Sequence, residues 1–82
     1  MELEKEDFKI LWNIGNSWEK DPEKAANSSG MSIQECNQIF IRLENIGLIE
    51  LEFRESKIYG ASLTDKGREV VENEEYSDWI PE

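Results

Sequence analysis

Hydrophobic residues recur along this 82-residue chain with two different periods, and the change between them falls near residue 48. Phe8, Leu11, Trp12 and Gly15 stand at i, i+3, i+4 and i+7, one face of an amphipathic helix that should end near Gly15-Asn16. Asp21-Pro22 places a capping carboxylate before a proline at the first helical position. It predicts a second helix of about two turns that Ser28-Ser29-Gly30 stops. Ser32-Ile33-Gln34-Glu35 has the spacing of a capping box. Cys36, Ile39, Phe40, Leu43 and Ile46 then repeat at helical intervals until Gly47, a residue suited to the left-handed position that ends a helix. Only about three residues separate the second and third helices, with a glycine at the turn, which is the sequence shape of a helix-turn-helix.

From Leu48 the period shortens towards two. Ile49, Leu51 and Phe53 alternate with Glu50, Glu52 and Arg54. After Glu55-Ser56 a second run extends from Lys57 to Leu63, predicting a β-hairpin with a polar tip over residues 48–63. Thr64-Asp65-Lys66 should cap a last helix that carries Val70 and Val71 inward and runs into Asn73-Glu74-Glu75. The expected architecture is α+β in the order helix, helix, helix, strand, strand, helix. It forms one domain over residues 1–82, with a body at about 5–72 and an acidic, aromatic C-terminal tail at 73–82.

Composition narrows the chemistry. Apolar residues make up 38% and charged residues 34%, but nine Ile, three Trp, three Phe and two Tyr supply enough bulk for one small core. There is no His, which removes imidazole acid–base work and imidazole metal sites. The single cysteine, Cys36, excludes an intramolecular disulfide and a multi-thiolate site; on the buried stripe it is expected to be a small core residue. The glycines are widely spaced and form no phosphate loop, and Glu74-Glu75 has no accompanying nucleophile, so neither a cofactor nor an enzyme is expected. The N-terminal MELEKEDF is acidic where a signal peptide is basic, and apolar runs are short, so a cytoplasmic location without membrane contact is expected.

The formal net charge of −10 works against a polyanion partner, because non-specific nucleic-acid binding is mostly phosphate neutralisation. Its distribution changes that picture. Residues 1–7 hold four acids and one lysine, and residues 69–82 hold six acids and no base. Residues 8–68 hold nine acids and eight bases, so the body is near neutral.

The run Leu43-Glu44-Asn45-Ile46-Gly47-Leu48-Ile49-Glu50, followed by Leu63-Thr64-Asp65-Lys66-Gly67-Arg68-Glu69, resembles the winged helix-turn-helix of MarR-, PadR- and ArsR-like transcriptional regulators. The resemblance covers residues 5–72. It implies binding to double-stranded DNA, with the third helix (about 32–46) in the major groove and the hairpin wing over the adjacent backbone. A wheel at 100° per residue puts Gln34, Asn37, Gln38, Ile41 and Asn45 opposite the core stripe. Asn and Gln can grip adenine bidentately, and an aliphatic group can sit against a thymine methyl. Ser32 at the helix start, Arg42 at the edge of this face, and Arg54 and Lys57 at the hairpin tip complete the candidate DNA contacts. The chain departs from the family at Gln38, where such regulators often carry a base, and in the few cations of its wing.

Leu3, Ile10 and Ile14 form a second apolar stripe on the first helix. It predicts either a covering by Tyr76, Trp79 and Ile80 of the tail or a two-fold homodimer contact. A winged helix would take up nearly all 82 residues, so a separate ligand-sensing domain is not expected in this chain. The alternative function is a winged-helix protein–protein interaction module, an adaptor in a nucleic-acid-associated complex that uses Ile41 and the acidic ends and binds DNA weakly or not at all.

Overall fold

Helix starts in this chain are set by side chains that satisfy otherwise unpaired backbone N–H groups. The computed structural model describes residues 3–16 and 21–80. Helix α1 spans Lys5–Asn16, α2 Pro22–Ser29 and α3 Ile33–Asn45. Strands β1 (Ile49–Arg54) and β2 (Lys57–Leu63) follow, then α4 (Asp65–Val71) and a closing 3₁₀ turn at Glu74–Trp79. The outermost parts of the expected domain, residues 1–2 and 81–82, lie outside the described residues. Asp21 Oδ1 accepts the Lys24 N–H at 2.8 Å to open α2, Ser32 Oγ accepts the Glu35 N–H at 3.1 Å to open α3, and Thr64 Oγ1 accepts the Gly67 N–H at 3.0 Å to open α4.

The core joins Phe8, Ile10, Leu11 and Ile14 of α1 to Ala25 and Ala26 of α2 and to Cys36, Ile39, Phe40 and Leu43 of α3. Leu48, Ile49, Ala61 and Val70 close it from the hairpin side. Ile10 and Ile14 are fully buried, as are Phe8 and Leu11. The two apolar stripes expected on α1 are therefore one broad face turned into its own chain, and Ile10 and Ile14 are not left over for a second copy. Asp7 falls between the stripes on the helical wheel. At 2% exposure it belongs to the interior and not to the solvated acidic end in which its position in the sequence had placed it. Its carboxylate accepts the Glu4 N–H at 3.3 Å and pairs with the Arg42 guanidinium of α3, so its burial is compensated by a cation and a backbone donor.

The exit from α3 explains both sequence motifs. Gly47 has φ of 85°, its N–H donates to Glu44 O at 2.9 Å and the Leu48 N–H donates to Leu43 O at 3.0 Å, the two bonds of a Schellman motif. The start of α4 then locks onto this turn. Thr64 Oγ1 donates to Gly47 O at 2.7 Å, the Thr64 N–H to Leu48 O at 3.1 Å, and Lys66 Nζ to Ile46 O at 3.3 Å. At Gly67 a Cβ atom would lie 2.0 Å from Leu48 O, so only glycine permits α4 to approach so closely.

β1 and β2 pair antiparallel from Ile49↔Leu63 to Arg54↔Lys57, joined by Glu55 (φ 52°) and Ser56 (φ 67°), two positive φ values as in a type I′ turn. The register shifts between Glu52↔Gly60 and Phe53↔Ile58, leaving Tyr59 as an extra residue on β2. Helix α4 ends at Val71 and does not run into residues 73–75 as the sequence suggested. The Asn73 side chain accepts the Glu75 N–H at 2.8 Å and starts the separate 3₁₀ turn.

Candidate nucleic-acid interface

Helix α3 buries Cys36, Ile39, Phe40 and Leu43 and turns the opposite face to solvent. Gln34, Gln38 and Asn45 are exposed there, Asn37 is half-buried, and Ile33 and Ile41 keep 51% and 46% of their surface exposed. Ile33, Asn37 and Ile41 form one wall of an open cleft of about 680 Å³. Phe53, Arg54, Lys57 and Tyr59 of the hairpin form the facing wall, and Asp21 to Glu23 at the start of α2 close one end. The structure thus brings Asn37, Ile41, Arg54 and Lys57 together on one cleft. Gln34 and Gln38 share their helix face outside the cleft lining.

Three of the candidates have local tasks. Ser32 is the N-cap of α3, and its hydroxyl also donates to Glu35 Oε1 at 3.3 Å. Arg42 projects from the flank of α3 that faces α1 and pairs with buried Asp7, while about half of its side chain stays in solvent. Arg54 lies 5.0 Å over the Tyr59 ring, a cation–π contact that steadies one of the two cations near the hairpin tip. The sequence pattern did not single out Ile33, Phe53 or Tyr59 as surface residues. Phe53 and Tyr59 fit the strand alternation of a core face, but past Leu51 the strand becomes exposed, a bulge leaves Tyr59 extra on β2, and both rings line the cleft beside α3 instead of entering the core.

Among solved structures, the chain is similar to a MarR family protein of Mycobacterium tuberculosis crystallised in complex with p-aminosalicylic acid. The TM-score is 0.68 with 23% identity, over 84% of this chain and 53% of that one. The chain is a winged helix-turn-helix. It spans about half the length of the protein it matches. No family model matches the sequence, and no curated protein matches it. In winged-helix terms α2 and α3 are the helix-turn-helix, and β1 and β2 are the wing.

The aromatic turn packs away from the wing, on α1. Tyr76 stacks on Phe8 with ring centroids 5.3 Å apart, Trp79 meets Phe8 edge-on at 6.1 Å, and the two tail rings lie 5.4 Å from each other. Leu3 packs against the same core, while Ile80 remains 38% exposed. Among the described residues no group of three or more His, Cys, Asp or Glu side chains is placed to hold a metal ion, and no helix is long and apolar enough to cross a membrane.

Proposed function

We propose that this winged helix is a DNA-binding transcriptional regulator that sets α3 in the major groove and the wing tip on the adjoining backbone. The observation that supports it most is the continuity of one solvent-facing surface. The amides of Gln34, Asn37 and Gln38 and the side chain of Ile41 are presented by a capped, core-anchored helix, and Arg54 and Lys57 line the same cleft as Asn37 and Ile41. Base-edge chemistry is thereby carried by a rigid helix, and phosphate chemistry by the wing. Arg42 adds a partly exposed cation on the other flank. Two copies reading paired half-sites would meet through Tyr76, Trp79 and Ile80 and not through Ile10 and Ile14, which the fold encloses.

A salt titration against a mixed-sequence duplex pool tests this reading. With two or three phosphate contacts, the slope of log affinity on log salt should be about −2 to −3. Absence of binding at about 50 mM salt, where such contacts are least screened, would overturn it.

A protein–protein interaction module is the second reading, favoured by the apolar content of the same cleft. Ile33, Ile41, Phe53 and Tyr59 are each close to half exposed, while Asp21, Glu23 and Glu55 bring acid to the lining. On this reading the Arg54→Ala and Lys57→Ala variants leave the function intact, whereas the DNA reading requires each to weaken duplex binding and to flatten the salt slope by about one unit.

A further inference from the structure

We infer that the base pairs taken by the outer face of α3 are A·T, and that the 5-methyl group of thymine is what its two exposed isoleucines contact. This rests on the DNA-binding reading above and gives it a target class. Guanine is read in the major groove by Arg or Lys reaching O6 and N7. The outer face of α3 has neither residue in a position to do so. Its lone cation, Arg42, stands on the flank towards α1, where its guanidinium is drawn to the buried Asp7 carboxylate. The face instead presents Gln34, Gln38 and Asn45, whose amides pair with adenine N6 and N7, with Ile41 among them and Ile33 exposed in the first turn at the edge that borders the cleft.

The isoleucines make the inference sharper than a count of amides. Both lie on a helix whose core face is already filled by Cys36, Ile39, Phe40 and Leu43, and both keep about half their surface in water, at 51% and 46%. They are eight residues apart, which is about 12 Å along the helix axis. That distance matches three to four base steps at about 3.4 Å each, so the two can meet methyl groups on separate base pairs of one groove. Two acids on α3 bear on cytosine, whose amino group suits a carboxylate. Both are exposed, and only Glu35 accepts a side-chain hydrogen bond, from the Ser32 hydroxyl, which makes a G·C duplex a necessary arm of the test.

The test measures anisotropy-detected binding of the full chain to three alternating duplexes of about two helical turns. One contains adenine and thymine, one adenine and uracil, and one guanine and cytosine. Replacing thymine by uracil removes only the major-groove methyl and leaves the minor-groove edge and the phosphates unchanged. The thymine duplex should bind about tenfold more tightly than the G·C duplex. It should bind about fourfold more tightly than the uracil duplex for each methyl buried. Ile41→Ala should reduce the thymine-over-uracil preference, and Ile33→Ala with Ile41→Ala should abolish it; both positions are exposed enough for the fold to survive, which circular dichroism checks. Equal affinity for the thymine and uracil duplexes, a preference that survives the double variant, or tighter binding of the G·C duplex would overturn the inference while leaving DNA binding in place. Failure to bind any of the three at about 50 mM salt would overturn the DNA-binding reading itself, and this inference with it.

Discussion

The turn between α3 and the wing and the outer face of α3 lie within a few residues of each other, yet their sequences are constrained in different ways. At the turn, backbone atoms dictate side chains. Gly47 carries a positive φ, Thr64 bonds Gly47 O and the Gly67 N–H, and Gly67 leaves room for Leu48 O. On the outer face no backbone atom and no core volume fixes whether a position is Gln, Asn or Ile. The fold therefore specifies the first region, and the outer face is free to be specified by whatever it binds.

That contrast can be broken most severely at Gly67. Gly67→Ala places a methyl 2.0 Å from the Leu48 carbonyl oxygen, so α4 must shift; a loss of about 3 kcal/mol or more is expected in urea denaturation. A loss below about 1 kcal/mol would show that α4 does not depend on this close approach. Next comes Arg42→Ala, which strands the carboxylate of Asp7 at 2% exposure. Because Arg42 itself is half exposed, we expect about 2 kcal/mol and not the full cost of breaking a buried pair. Asp7→Asn in the same chain should recover much of it, a coupling that a double-mutant cycle reads directly. Thr64→Ala removes a helix cap and the bond to Gly47 O and should lose about 1–2 kcal/mol. The smallest effect belongs to the outer face, where Ile41→Ala should change stability by less than about 0.5 kcal/mol while altering duplex selectivity.

The same division governs how much the sequence disclosed. The caps at Asp21, Ser32 and Thr64, the glycine after α3 and the change of period at Leu48 are local signals, and each appears in the structure where its spacing put it. Two features escaped because they depend on partners distant in the chain. Asp7 split the apolar face of α1 into two apparent stripes, and its burial becomes intelligible only with Arg42, 35 residues away. The cleft is not legible because Phe53 and Tyr59 fit a strand alternation that normally faces a core, whereas here both rings line an open cleft whose other residues come from α2 and α3. The sequence pattern carries α4 past Val71 because Asn73 caps the following turn in a pattern too short to leave a periodic signal.

Amide chemical-shift mapping during titration with the alternating adenine–thymine duplex tests the central claim most directly, since it locates the contact surface residue by residue. Saturable shifts should concentrate at Gln34, Asn37, Gln38 and Ile41 and at the wing tip from Arg54 to Lys57, with Tyr76 and Trp79 on the far side of α1 unaffected. Shifts confined to α1 and the aromatic turn, or no shifts at about 50 mM salt, would contradict the assignment of α3 and the wing as a DNA-reading surface.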